Sequence, residues 1–195
     1  MSLSETTKPK RGHPSPMMFI SLGIGTAAAV ALIAVVSILT GGAAKPNNAQ
    51  PAAALVGKSV RNFTIEGLNG AKVRAPWASG HAGVLIFFAS YCGPCQGEMP
   101  KVAAYFRRHN ETPIVVMGVD ASDVLSAGRA FVSKDGVTFP VAFDPYNDVT
   151  SGIFQFGQIP ETVFVTKRGV VAQVYYGAIP VRQLVSGIAS LKSQA

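Results

Sequence analysis

The sequence predicts an α/β domain, a mixed sheet flanked by helices on both faces, preceded by one membrane-spanning helix. Three observations carry that prediction. Two continuous apolar runs of strand length, Val84–Phe88 and Pro113–Val119, each lead into a helical pattern, as strands covered on both faces do. Two later runs, Thr162–Thr166 and Val170–Tyr176, close across Lys167-Arg168-Gly169 as a hairpin, and an amphipathic helix over Val181–Leu191 follows. Met17–Thr40 is apolar and free of charge, long enough at roughly 24 residues to cross a bilayer core of ~30 Å as a helix.

Taken in order, the chain of 195 residues and formal net charge +7 has room for one medium domain and an appendage. Lys8, Lys10 and Arg11 precede the apolar run and only Lys45 follows it closely. The positive-inside bias therefore keeps residues 1–16 as a cytoplasmic tail, with 17–40 the transmembrane helix. Everything beyond would lie outside a bacterial cell membrane, on a single-pass anchor. The alternative is secretion after cleavage of a signal peptide at the small residues Gly41-Gly42-Ala43-Ala44. Residues 41–54, rich in Ala, Asn, Gln and Pro, read as a tether. The folded domain is 55–195. Its basic residues are scattered, with Arg107-Arg108 and Lys167-Arg168 the adjacent pairs, which describes solvated surface and excludes a nucleic-acid protein.

Within the domain, Val60–Ile65 alternates, and Asn69-Gly70 signals a hairpin turn before Ala71–Arg74. The strand ending at Ala89 runs into a helix from Gly93 to about His109, with Pro100 expected to kink it. After the second covered strand, Ser122–Lys134 reads as a helix capped by Ser122 or Asp123. Val137–Phe143 reads as a short strand and Val149–Phe154 as a short helix.

Both cysteines of the chain, Cys92 and Cys95, sit where the first covered strand becomes a helix. Pro94 suits the first turn, where its missing N–H costs nothing. Cys92 thus stands at a helix N-terminus, where unpaired N–H groups and the helix dipole favour an anion. The thiolate is the form that attacks disulfides. Cys95, one turn on, can close a disulfide with Cys92 or resolve a mixed disulfide formed there. A loop this short constrains little of the unfolded chain, so the pair is a poor structural staple. A metal would need more ligands than His13, His81 and His109 offer. There is no phosphate-binding glycine motif, and the chemistry needs no cofactor beyond the two thiols. Glu98 lies three residues after Cys95, on the same helix face, where a carboxylate can take and return the proton of Cys95.

Residues from about Leu55 to Leu191 resemble a thioredoxin-fold domain of the TlpA/ResA/DsbE group of membrane-anchored thiol–disulfide oxidoreductases. The resemblance rests on Val84–Phe88 leading to Cys92-Gly93-Pro94-Cys95, on Glu98-Met99-Pro100, on Gly118-Val119-Asp120, on Gln158-Ile159-Pro160-Glu161-Thr162 and on the hairpin at Lys167-Arg168-Gly169. It implies a cis bond before Pro160, packed beside the cysteines, with Ile159 offering its backbone to substrate like an added strand. It also supports Glu98 as the proton carrier. Gly93 and Pro94 would border the substrate. Tyr91 departs from the tryptophan common before the first cysteine, and packing or substrate contact would suit it equally. Ile86 stands where thioredoxin keeps a buried aspartate, which leaves Glu98 as the nearby acid. The implied partners are protein thiols and disulfides, apocytochrome c among them, and a membrane or extracytoplasmic electron donor.

Direction is the open point. Gly-Pro between the cysteines is the dipeptide of reducing thioredoxins, which favours a reductant, as in cytochrome c maturation. An oxidant in extracytoplasmic disulfide formation is the alternative. A thiol peroxidase would want a Thr-x-x-Cys setting, and Ser90 and Tyr91 stand directly before Cys92 instead. Copper delivery would want a wider cysteine spacing and a histidine downstream, and no histidine follows His109. Trp77, Phe87 and Phe88 are expected in the core, His81 and His109 in solvent, and Asp120 and Asp144 at a strand end and a turn.

Overall fold

The structure, a computed structural model, describes residues 54–194. The expected tail, membrane helix and all but the last residue of the tether lie outside the described residues. Among the described residues no helix is long and apolar enough to cross a membrane.

A hairpin of β1 (Thr64–Glu66) and β2 (Lys72–Arg74) comes first. Its turn uses Gly70 at φ +82°, where only glycine is free of strain, and Asn69 Oδ1 accepts from the Ala71 N–H. A 3₁₀ turn at Pro76–Ser79 follows. Next come β3 (Gly83–Phe88), α1 (Gly93–Arg108), β4 (Val115–Ala121), α2 (Leu125–Lys134), β5 (Val141–Asp144), β6 (Glu161–Val165), β7 (Val171–Tyr176) and α3 (Val181–Ser193). The main sheet has the order β5-β4-β3-β6-β7. β3 is parallel to β4 and antiparallel to β6, so the central strand makes the sheet mixed.

Every residue of β3 is buried, and its alternation divides the core in two. Val84, Ile86 and Phe88 join Met99 and Val102 of α1, Phe131 of α2 and Leu184 and Ile188 of α3. Leu85 and Phe87 point the other way, among Trp77, Met117, Phe154 and Phe156. The three helices therefore share one face, which corrects the expectation of helices on both. The reason is geometric: from β3 to β4 to β5 the chain steps twice in the same direction, and two right-handed crossovers put α1 and α2 on one side. Strands, the 3₁₀ turn and the aromatic turn segment cover the other side.

Two further expectations fail. Residues 149–154 form turns rather than a helix. They are anchored by Asp144, whose buried carboxylate accepts from the N–H groups of Val149 and Thr150 and from the Thr150 hydroxyl. Helix α2 starts at Leu125, and its cap Val124 makes no side-chain capping bond. Asp123 does not cap it because that carboxylate is turned toward the cysteine loop. Helix α1 otherwise matches its expected span and continues through Pro100.

Candidate active site

The cysteine loop is built at the C-terminal end of β3. Cys92 is the N-cap of α1, and its Sγ accepts from the Cys95 N–H at 3.2 Å. Cys92 and Cys95 are joined as a disulfide with S–S 2.03 Å. Cys92 is 7% exposed and Cys95 wholly buried, so a partner molecule approaching along the surface meets Cys92 first. Gly93 and Pro94 form the exposed first turn between them. Tyr91 stands in solvent at 64% exposure, so it is not a packing residue.

The peptide bond between Ile159 and Pro160 is cis, as is that between Thr112 and Pro113, which the sequence reading did not anticipate. Antiparallel pairing sets Phe87 against Glu161, so Pro160 falls one step further along, at the end of β3 from which the cysteine loop departs. Ile159 packs against the apolar cluster that contains both cysteines.

Glu98 is buried on α1 in the same apolar layer as Cys95. Burial pushes its pKa up to about 7, although the Ile179 N–H, donating to Oε1 at 3.0 Å, pulls the other way. Its Oε2 is buried without a hydrogen-bond partner among the described residues. A carboxyl group so placed changes protonation near neutral pH, the range in which thiols exchange.

Three acids escaped the sequence reading as contributors to this region. Asp123 accepts from the Ser90 N–H, from the Ser90 hydroxyl at 3.0 Å and from the Val124 N–H at 2.7 Å. Burial pushes its pKa up, but these bonds outweigh it and hold the carboxyl below the usual range. On the other flank, Gln96 Nε2 donates to the Ser90 carbonyl at 2.9 Å. Behind Asp123 lies Asp120, wholly buried with no hydrogen-bond partner at either carboxylate oxygen among the described residues. Burial, reinforced by the charge of Asp123, raises it to about 8. Glu161, directly after Pro160, is buried, and desolvation raises it to about 7. The available signal was position: sites gather where parallel strands end, and Asp120 and Asp123 stand at or just past the end of β4, while Glu161 directly follows the cis-bonded Pro160.

Among the described residues no three His, Cys, Asp or Glu side chains converge as a metal site. His81 and His109 are exposed, the latter stacked on Tyr105 at 4.3 Å.

Residues 56–174 match the AhpC/TSA family. The chain belongs to that family. Among curated proteins it is similar to the thiol-disulfide oxidoreductase ResA of Bacillus thuringiensis (strain Al Hakam), 29% identical over 129 residues, which are 66% of this chain and 74% of that protein. The ResA of Halalkalibacterium halodurans is 24% identical over 167 residues, 85% of this chain and 94% of the relative. Among solved structures, a secreted Mycobacterium tuberculosis disulfide oxidoreductase homologous to E. coli DsbE superposes with TM-score 0.58 at 24% identity. It covers 66% of this chain and 96% of that one. The fold is thus thioredoxin-like, and the chain is a redox enzyme of the thiol–disulfide oxidoreductase type, with a disulfide-forming cysteine pair.

Proposed function

We propose that this enzyme reduces disulfides of protein substrates on the outer side of a bacterial membrane. The observation that carries the reading is the asymmetry of the pair: Cys92 reaches the surface as a helix cap, whereas Cys95 and Glu98 lie buried behind it. In the reduced enzyme, the Cys92 thiolate attacks one sulfur of a substrate disulfide. The substrate S–S bond breaks, a Cys92–substrate S–S bond forms, and the other substrate sulfur leaves with the electron pair as a thiolate. Cys95 then loses its proton to Glu98 and attacks Cys92. This releases the second substrate thiolate, which is protonated, and leaves Cys92–Cys95 oxidised. An electron donor at or outside the membrane must restore the dithiol. Ile159 supplies backbone beside Pro160 to align the substrate chain, with Tyr91, Gly93 and Pro94 along the opposite edge.

The Gly-Pro dipeptide supports the reductive direction, and apocytochrome c awaiting haem attachment is a substrate that needs free thiols. Residues 17–40 would serve as the anchor, with 41–54 as the tether. The test is the reduction potential of the pair against glutathione buffers. The proposal expects a value near that of thioredoxin, ~−270 mV, and a value near ~−120 mV, that of a strong oxidant, would reverse the direction.

A further inference from the structure

The fold gathers at one end of the domain basic residues that are scattered along the sequence. β3 carries the cysteine loop past its C-terminal end, and its other end, Gly83, is set beside Val115 of β4 and Val165 of β6. The helices run back from the cysteine end toward this one. α1 follows β3, α2 follows β4, and α3 follows β7, whose last residue Tyr176 lies opposite Glu161. Their last turns bring Arg107 and Arg108, Lys134 and Lys192 to the Gly83 end, where cations suit the negative ends of the helix dipoles. The turn between β6 and β7 adds Lys167 and Arg168, both exposed. Lys58 joins them, since its carbonyl accepts from the Val171 N–H at 3.0 Å.

Much of this charge has no counterpart in the domain. Lys192 pairs with Glu111 at 2.7 Å, Arg107 donates to the carbonyls of Asp135 and Gly136, and Lys134 interacts with the Asp135 carboxyl. The side chains of Lys58, Arg108, Lys167 and Arg168 have no hydrogen-bond or ion-pair partner among the described residues. Single surface cations need no explanation, but four unpaired ones at one end raise a positive potential that attracts an extended anionic surface. The point of chain entry is a second observation. Leu55 is buried, and Gly57 donates to the Val171 carbonyl at 2.8 Å, so residues 41–54 join the domain at this same end. The cysteine loop leaves from the far end of β3, whose six residues span about 20 Å.

We propose that the basic end docks on the surface of a bilayer rich in anionic phospholipid and so holds Cys92 facing away from the membrane. The tether keeps the domain within reach of that surface, and the phosphate headgroups supply the counter-charge that Lys58, Arg108, Lys167 and Arg168 lack. Docked in this way, the enzyme offers its reactive sulfur to proteins of the aqueous space rather than to a disulfide within the bilayer. The inference rests on the membrane-anchored reading and adds to it the orientation of the domain.

The test uses the full-length protein in vesicles of neutral phosphatidylcholine, or of that lipid mixed with phosphatidylglycerol, each carrying a dansyl-labelled headgroup. Trp77 is the chain's one tryptophan. Its ring lies so close to Gly169 that an added Cβ there would be 2.9 Å away, so energy transfer from Trp77 to dansyl reports how near the basic end lies to lipid. Transfer should be stronger in the anionic vesicles at low salt. It should fall to the neutral-vesicle value at ~1 M salt, where the screening length is ~3 Å. Lys167→Gln with Arg168→Gln, at exposed positions without partners, should cut the ratio of docked to undocked protein on the order of tenfold, a few-fold for each cation. Lys101→Gln with Arg182→Gln removes the same charge from exposed positions on the helix flank and should leave the ratio unchanged. Equal transfer from the two kinds of vesicle would overturn lipid docking and leave this end to an acidic protein partner. Equal losses in the two double variants would overturn it as well, reducing the effect to net charge. Flotation separates the two readings: a protein that fails to float with neutral vesicles overturns the anchor, whereas salt-sensitive flotation with anionic vesicles alone supports the basic surface.

Discussion

Asp123 holds Ser90, two residues ahead of Cys92, by both of its backbone-facing groups: one carboxylate oxygen accepts from the Ser90 N–H and the other from its hydroxyl at 3.0 Å. The start of the exposed cysteine turn is therefore pinned from β4's end, while Gln96 pins the Ser90 carbonyl from α1. A loop fixed on both sides presents Cys92 at one height above the sheet.

Asp123→Ala removes three accepted hydrogen bonds and leaves the Ser90 N–H without its partner. Urea unfolding at pH 7 should show a loss on the order of 1–3 kcal/mol. Disulfide turnover should fall with it, as the loop before Cys92 loosens. Asp123→Asn, which keeps the size and one good acceptor, should lose less. Equal stability of the parent and the alanine variant would contradict the pinning role.

The acids behind the site fix the sign of the pH dependence. Burial raises Asp120 to about 8, with help from Asp123, and raises Glu98 and Glu161 to about 7. The folded state therefore holds these protons more tightly than the unfolded chain. The unfolding free energy should fall as pH climbs from the ordinary carboxylate range through 7 to 8. Asp120→Asn, neutral at every pH, should flatten that slope and exceed the parent in stability at pH 8. Urea titrations of both proteins between pH 5 and 8.5 decide it; a parent curve that rises across this window contradicts the assignment.

Gly128 of α2 is packed so closely on Asp120 that an added Cβ would lie 1.9 Å from Oδ2. Gly→Ala inside a helix ordinarily gains about 1 kcal/mol. Here Gly128→Ala should instead cost about 1–3 kcal/mol, as overpacking does. The double variant Gly128→Ala, Asp120→Ala removes the obstructing carboxylate and should recover most of that loss by thermal or urea unfolding.

Much of this architecture was legible because apolar runs and turn residues act locally. Val84–Phe88 could only be a covered strand, Asn69-Gly70 only a tight turn, and Cys92-Gly93-Pro94-Cys95 only a helix start. What could not be read depended on groups distant in sequence. Asp123 has the residue type and position of a helix cap, and it took the partner Ser90, 33 residues upstream, to draw it away. The segment 149–154 reads as a short helix only from its place between turns: Val149, Thr150, Ser151 and Gly152 are poor helix formers, and the buried carboxylate of Asp144 takes the N–H groups of Val149 and Thr150 into a turn. Helix α2 was legible in sequence apart from its first turn; that all three helices share one face was not, because sidedness follows from strand order. Glu98 was legible as a helix-face acid; its burial was not, since it depends on the loop at Ile179, 81 residues away.

Glu98→Gln removes a group that titrates at about 7 while keeping its shape and its bond from Ile179. Resolution by Cys95 should slow by about 10²-fold, the lower range for a positioned acid or base. The step should also lose its pH dependence around 7. Stopped-flow rates of mixed-disulfide resolution from pH 6 to 8.5 measure both, and a variant with the parent's profile would remove Glu98 from the proton path.

The central claim is that Cys92 is the sulfur that meets the partner protein and Cys95 the one that releases it. The direct measurement is covalent trapping on non-reducing gels with single Cys→Ser variants and a disulfide-containing protein substrate. Cys95→Ser should accumulate a mixed disulfide through Cys92, and Cys92→Ser should form none and lose turnover. Adducts carried by Cys95 in the Cys92→Ser protein, or undiminished turnover by that protein, would contradict it.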